Sequence, residues 1–131
     1  MMPRGIRNAN PGNIRRVDGV KWVGQSSTIT DPAFVTFIDP RYGIRAMVRI
    51  LRSYQRQGIR TIHDAINRWA PPNENNSDAY VAAVCKECKV QPSTLIVIDE
   101  HLPEIVKAII RHENGQQPYP DEVIYEGISL A

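Results

Sequence analysis

Residues 104–115 read Glu-Ile-Val-Lys-Ala-Ile-Ile-Arg-His-Glu-Asn-Gly, a pattern that predicts a buried amphipathic helix. Four apolar positions recur at helical spacing and form one stripe. They are Ile105, Val106, Ile109 and Ile110. Pro103 suits the first helical turn, where a missing N–H costs little, and Gly115 suits a helix end. We therefore expect this helix to lie in the core.

Glu113 follows Ile109 and Ile110 by about one helical turn, so its carboxyl group is expected to tend toward the buried stripe. Partial removal from water favours the protonated form of a carboxyl group, which is the form that a general acid needs. Taken alone, this stretch of sequence favours the interpretation that Glu113 is an ordinary solvated residue at a helix end. The rest of the chain makes Glu113 the candidate catalytic residue.

The chain has 131 residues, enough for one domain with a modest core. No run approaches the roughly 20 apolar residues of a membrane span, and the N-terminus lacks the apolar segment of a secretory signal. We therefore expect synthesis in the cytoplasm, with any export by another route. Cys85 and Cys88 form a single Cys-x-x-Cys, which is weak evidence for zinc without a second pair. We interpret both cysteines as small core or boundary residues.

The net charge is only +2, but the charge is unevenly distributed along the chain. Residues 1–60 contain eleven Lys or Arg and three Asp, whereas residues 61–131 contain five basic and eleven acidic residues. A basic front half indicates an anionic partner, either a nucleic acid or a polyanionic wall polymer. The arginines are scattered through a folded pattern without interleaved aromatic residues, which makes a nucleic acid the less favoured partner.

Three asparagines surround a predicted tight turn near the N-terminus. Asn8, Asn10 and Asn13 flank Pro11-Gly12, a pair that is typical of a type II turn. Their amides could bind a polar, uncharged ligand such as a sugar. Alternatively, they hydrogen-bond to their own backbone, as asparagines in loops commonly do.

Short β-branched and aromatic runs at residues 20–23 and 33–38 follow a turn signal at residues 18–19, and they predict a small antiparallel hairpin or sheet. From Gly43 onward the apolar period changes from two to 3.6, which predicts helices. Further helices are expected from Thr61, Ser77, Glu104 and Pro120, with one helical turn within residues 92–98. The predicted fold class is α+β, mainly α, with about six helices and a small antiparallel β-hairpin or sheet near the N-terminus.

Four short motifs together resemble a known family. They read Asn-Pro-Gly-Asn-Ile-Arg (10–15), Arg-Trp-Ala-Pro-Pro-Asn-Glu-Asn (68–75), Asp-Ala-Tyr-Val (78–81) and Ala-Ile-Ile-Arg-His-Glu-Asn-Gly (108–115). In these motifs the chain is similar to phage-encoded cell-wall hydrolases of the lysozyme-like superfamily, nearest to lytic transglycosylases, with the motifs in a circularly permuted order. The resemblance covers most of the chain and implies a single lysozyme-like catalytic domain over residues 1–131.

The resemblance implies that Glu113 cleaves the MurNAc-β-1,4-GlcNAc bond of peptidoglycan as a single general acid and base, without a cofactor. It also implies that substrate-binding residues surround one groove. These are Asn10, Asn13, Trp69, Asn73, Glu74 and Tyr80. A phage or prophage protein of this kind acts at the bacterial cell wall, as a virion component in some cases. Its partners are then glycan strands and other virion proteins.

The chain departs from the family pattern at two points. Asn114 stands where a serine usually follows the catalytic glutamate. The permuted order also requires the turn at residues 10–15 to reach Glu113 through tertiary packing. Glu74 and Asp78 are the candidates for a second carboxylate, although each fits a solvated loop or helix-start acid. Because no obvious partner for Glu113 is present, we favour the lytic transglycosylase reaction over hydrolysis by a muramidase.

Two other classes of function remain open at the level of the sequence. A non-catalytic virion structural protein could keep a lysozyme-like fold without activity, in which case Glu113 would be dispensable. A nucleic-acid-binding module could use the basic front half, in which case its affinity would fall steeply with salt.

Overall fold

The computed structural model describes residues 2–131, which form six α-helices and one short 3-10 helix. The α-helices are α1 (Arg4–Arg7), α2 (Pro40–Arg56), α3 (Ile62–Trp69), α4 (Ser77–Cys88), α5 (Leu102–Asn114) and α6 (Asp121–Leu130), and the 3-10 helix spans Ile98–His101. The predicted mainly helical character is confirmed. Within the described residues, no helix combines the length and the apolar character needed to cross a membrane.

The predicted β-hairpin or sheet is absent from residues 2–131, so the assignment to the α+β class is wrong and the protein is all-helical. Only two isolated antiparallel bridges occur in this part of the chain, Arg15 with Phe34 and Gln25 with Phe37.

The two β-branched runs do not pair with each other, which explains why the hairpin does not form. The run at residues 33–38 instead hydrogen-bonds to the N-terminal segment: the Val35 N–H donates to the Ile14 carbonyl at 3.0 Å, and the Phe37 N–H to the Asn8 carbonyl at 2.9 Å. Val20 and Val23 in the other run are 46% and 54% exposed. A strand is stabilised by packing one continuous face against a core. Trp22 packs against the core, but Val20 on the same side of an extended chain does not, so residues 20–23 offer no continuous face of this kind.

Helix α5 is the buried helix that the sequence predicts. The four residues of its apolar stripe are all 0% exposed, and α5 packs against α4 and α6. Gly115 adopts a left-handed conformation with φ of 72°, and its N–H donates to the Arg111 carbonyl at 2.8 Å. This geometry is common at helix ends and stops α5 directly after Glu113 and Asn114.

Helix α2 is a second central helix, and the N-terminal segment lies against its first turn. The Asp39 side chain caps α2 by accepting a hydrogen bond from the Arg41 N–H at 2.9 Å. At Gly43, an added Cβ atom would lie 2.5 Å from the Ala9 carbonyl oxygen and 2.8 Å from the Pro11 ring. Only glycine permits this close approach, which sets the position of the turn at residues 10–15.

Asp31 fixes the long loop between α1 and α2. It is 4% exposed and accepts hydrogen bonds from the Arg4 Nε and Nη2 atoms, both at 2.6 Å, and from the Asn8 amide at 3.0 Å. The backbone N–H groups of Ala33 and Phe34 donate to the same carboxylate at 2.9 and 3.1 Å. These donors, the Arg4 guanidinium above all, hold the pKa of Asp31 far below its usual range.

We predict that Asp31 makes the stability of the protein sensitive to acid. A carboxylate with a lowered folded-state pKa stabilises the fold above its unfolded-state pKa of about 4, and this contribution is lost as the pH falls below that value. Asp31→Asn should therefore be less stable than wild type at pH 7, and the difference should shrink toward pH 2. Urea unfolding at several pH values measures this difference. The exposed Asp18 provides the control, since Asp18→Asn should follow wild type throughout; parallel curves for Asp31→Asn and wild type would contradict the prediction.

Candidate functional site

A surface groove of about 380 Å³ opens beside the end of α5. Its walls come from the N-terminal turn, α2, the end of α3 and the loop that follows α3. Among the residues that line it are Asn13, Trp69, Glu74 and Glu113. Segments at both ends of the chain thus meet at one site, as the resemblance required.

The Glu113 carboxyl group is half-buried in this groove and is held at both oxygens. The Asn13 side-chain amide donates to Oε1 at 3.0 Å, and the Tyr80 hydroxyl donates to Oε2 at 2.9 Å. The two partners lie 100 and 33 residues away in sequence, so the tertiary fold alone brings them together. This arrangement gives Glu113 a defined orientation on the groove wall.

Asn114 explains how the N-terminal turn reaches Glu113. Its buried amide nitrogen donates to the Pro11 carbonyl at 2.8 Å and to the Ile110 carbonyl at 2.9 Å. A serine hydroxyl has one proton and could not make both bonds. The asparagine at this position therefore fastens the turn at residues 10–15 to the end of α5.

Asn10 lies outside the groove lining, in contrast to the substrate-binding role that the resemblance implied. It is 0% exposed, and its amide nitrogen donates to the carbonyls of Ile14 and Val35 at 2.9 and 2.8 Å. Its amide oxygen accepts the Ile14 N–H at 3.0 Å. All the hydrogen-bonding groups of this side chain are used within the protein, so Asn10 shapes the loop that carries Asn13.

Tyr80 is likewise a buried residue and cannot contact a ligand in the groove. It is 0% exposed, and its ring stacks on His112 with the ring centres 3.8 Å apart. Burial raises the pKa of Tyr80 far above its usual range, and the Glu113 charge raises it further. Tyr80 therefore remains a neutral hydroxyl donor that fixes the position of the Glu113 carboxyl group from the interior of the protein.

The other predicted site residues divide between the groove and the surrounding surface. Trp69 is partly exposed in the groove wall, where a sugar ring could stack on it. Glu74 lines the groove from the loop after α3, whereas Asn73 is an exposed loop residue outside the lining. Asp78 lies in the first turn of α4, away from the groove. Of the two candidate second carboxylates, only Glu74 faces the same groove as Glu113.

Four of the groove residues that the sequence did not predict carry aromatic or charged side chains. Two are the aromatic residues Phe34 and Tyr54, and two are the arginines Arg15 and Arg68 that lie over them. The two aromatic residues stand at sequence positions that are typical of core residues, so nothing marks them as groove residues. An arginine that lies over a ring distant in the sequence also has no local sequence signal. The one available hint was that Arg68 directly precedes Trp69.

The two cysteines and the other possible metal ligands of residues 2–131 do not form a metal centre. Within residues 2–131, no three His, Cys, Asp or Glu side chains form a group that could hold a metal ion. Cys85 and Cys88 are free and buried on one face of α4. Burial raises the pKa of the Cys88 thiol to about 12 and also raises that of Cys85, so both thiols stay protonated at neutral pH.

We predict that Tyr80→Phe lowers the turnover of any reaction that depends on Glu113 by about 10-fold. The substitution keeps the buried ring and removes one hydrogen bond to the carboxyl group, a contact worth about 1.5–3 kcal/mol when one partner is charged. Because Tyr80 is buried below the groove, KM should stay nearly unchanged. Kinetics on soluble glycan strands measure both quantities. A rise in KM at unchanged kcat would instead indicate that Tyr80 contacts the substrate.

Comparison with known proteins identifies a bacteriophage relative. No protein-family model matches the chain. Over 127 residues, the sequence is 39% identical to "Protein P5" of Pseudoalteromonas phage PM2, and the aligned region covers 95% of this chain and 79% of that protein.

Proposed function

The chain belongs to the family of Protein P5 of phage PM2, and we propose that it is a phage-type enzyme that degrades peptidoglycan. The proposed reaction is cleavage of the MurNAc-β-1,4-GlcNAc bond by Glu113 as a single general acid and base. The observation that carries this proposal is the geometry of Glu113, whose carboxyl group is fixed by Asn13 and Tyr80 on the wall of an open groove.

The proposed mechanism needs one proton donor and no metal. The protonated Glu113 carboxyl gives its proton to the bridging oxygen while the bond from that oxygen to the sugar carbon breaks. The acetamido group of the same sugar stabilises the positive charge that develops on the ring. The Glu113 carboxylate then takes a proton from a hydroxyl group of that sugar as the hydroxyl attacks the ring carbon. This step leaves an anhydro sugar and regenerates the protonated acid.

The surrounding residues support this mechanism by positioning the reacting groups. Asn13 and Tyr80 fix the direction of the carboxyl group, which reduces the entropy lost when the reaction geometry is reached. Trp69 offers an aromatic face in the groove on which a sugar ring can stack. Glu74 is the only other carboxylate among the described residues that line the groove, and it is exposed on a loop. The lack of a second fixed carboxylate favours transglycosylation over hydrolysis.

The products formed from purified peptidoglycan test the proposal. A lytic transglycosylase releases fragments that end in anhydro-muramic acid, and a muramidase releases fragments with a reducing end that are 18 mass units heavier because water is added. Mass analysis of the soluble products separates these outcomes. The absence of both products at high protein concentration would refute the enzymatic proposal.

A non-catalytic virion structural protein is the second candidate, and the same two hydrogen bonds to Glu113 are compatible with it. Both Glu113 oxygens already accept hydrogen bonds in the free protein, as they would in a carboxylate whose only role is structural. In that case Glu113 would join the N-terminal turn to α4 and α5, and its replacement would change stability while peptidoglycan remained intact in every variant.

A further inference from the structure

Two arginines on the groove wall lie over aromatic rings. The guanidinium carbon of Arg15 lies 5.0 Å from the centre of the Phe34 ring, and that of Arg68 lies 5.6 Å from the centre of the Tyr54 ring. All four residues line the groove that contains Glu113. A guanidinium stacked on an aromatic face gains cation–π attraction and loses side-chain freedom before any ligand arrives.

The charges of Arg15 and Arg68 are uncompensated within the part of the chain that the structure describes. Arg4 lies over the same Phe34 ring at 4.4 Å, but it is neutralised by its ion pair with Asp31. By contrast, among residues 2–131 neither Arg15 nor Arg68 has a carboxylate within 4 Å. The only side-chain hydrogen bond of Arg68 in this region goes to the neutral Gln57 amide oxygen at 2.8 Å.

We propose that Arg15 and Arg68 determine specificity by binding carboxylates on the peptide side chains of the glycan. This inference rests on the proposed function. A guanidinium binds a carboxylate through two parallel hydrogen bonds, and an aromatic ring beneath the guanidinium restricts its position before the ligand binds. The groove is thus adapted to strands that carry peptides, in preference to neutral oligosaccharides of the same length.

The other charges of the groove distinguish this ligand from a nucleic acid. Glu113 and Glu74 lie in the same groove as the two arginines. A nucleic acid carries one phosphate on every nucleotide, so a strand in the groove would bring phosphates close to both carboxylates. A glycan has a neutral backbone, and its carboxylates lie on branches. Its neutral glycosidic bond can approach Glu113 while the branches reach the arginines.

The inference is tested by measuring the affinity for two versions of one probe. The probe is a preparation of soluble, uncrosslinked glycan strands with free peptide carboxylates, and the second version has these carboxylates converted to methylamides. Binding is measured by calorimetry in a Glu113→Gln background, so that no strand is cleaved. Arg15→Gln/Arg68→Gln is compared with Arg49→Gln, which removes an exposed charge from α2 outside the groove.

We expect the parent protein to bind the carboxylate form about 10-fold more tightly than the amide form, as two exposed ion pairs can provide. The double variant should lose this preference and bind the two forms equally, and Arg49→Gln should behave like the parent. Equal affinity for the two forms would overturn the inference and leave the proposed function standing. If neither form of the probe binds, the inference and the proposed function are both overturned. Tight binding of a single-stranded oligonucleotide that the double variant loses, without glycan binding, would assign the arginines to a nucleic acid instead.

Discussion

Glu113→Gln is expected to reduce the cleavage of purified peptidoglycan by at least about 100-fold while the protein remains folded. The side-chain amide is nearly identical in size to the carboxyl group, but it cannot give a proton to the leaving oxygen, and general acid catalysis contributes about 10²–10⁴-fold. The amide can still hydrogen-bond to both present partners: its oxygen accepts from Asn13, and its nitrogen can donate to the Tyr80 hydroxyl. The free energy of unfolding should therefore change by less than about 1.5 kcal/mol.

Two matched substitutions separate the loss of the acid from a general charge effect. Glu104→Gln removes a carboxylate from the first turn of α5, far from the groove, and should leave cleavage unchanged. Glu74→Gln removes the other carboxylate of the groove and should leave most of the activity if one acid suffices. Turbidity loss of a peptidoglycan suspension provides the rate, and urea unfolding provides the stability. If Glu113→Gln keeps most of the activity, the assignment of the catalytic acid is wrong.

The helical part of the fold could be predicted because its signals are local. The stripe of α5 is an unbroken helical pattern, and Gly115 marks its end with the left-handed backbone that glycine adopts readily. The β-hairpin could not be predicted correctly, because β-branched residues form strands only when a partner and a core face are available. Val35 and Phe37 are buried, but their hydrogen bonds go to Ile14 and Asn8 in the N-terminal segment.

The candidate site was predictable in part, through the resemblance. The family resemblance placed Asn13 and Trp69 in one groove with Glu113, and the structure brings these three residues together. It also grouped Asn10 and Tyr80 with the ligand-contacting residues, although both are fully buried. A motif records which residue types occur together, and it does not distinguish a side chain that touches a ligand from one that supports it.

Gly5→Ala is expected to destabilise the protein by about 3 kcal/mol and to lower the activity of the molecules that remain folded. An added Cβ atom would lie 2.5 Å from the Asn114 Oδ1 atom, 2.8 Å from the Asn13 Oδ1 atom and 2.9 Å from the Asn10 carbonyl oxygen. Overpacking of a rigid site usually costs about 1–3 kcal/mol, and here one of the three obstacles is backbone. Both side-chain oxygens are also buried without a hydrogen-bond partner among the described residues.

The expected loss of activity in Gly5→Ala follows from the hydrogen bonds that Asn13 and Asn114 make. Asn13 donates to the Glu113 carboxyl group, and Asn114 ties the N-terminal turn to α5, so moving either side chain away from a new methyl group disturbs the acid. Gly19→Ala is the matched control, because no atom lies within 4 Å of its added Cβ and only its left-handed backbone opposes the change, at about 1 kcal/mol. In urea unfolding, the free energy of unfolding of Gly5→Ala should be well below that of Gly19→Ala. The rate of peptidoglycan cleavage per folded molecule should fall for Gly5→Ala alone. Equal stability of the two variants would show that the N-terminal turn can shift freely, and Glu113 would then owe its position to Tyr80 alone.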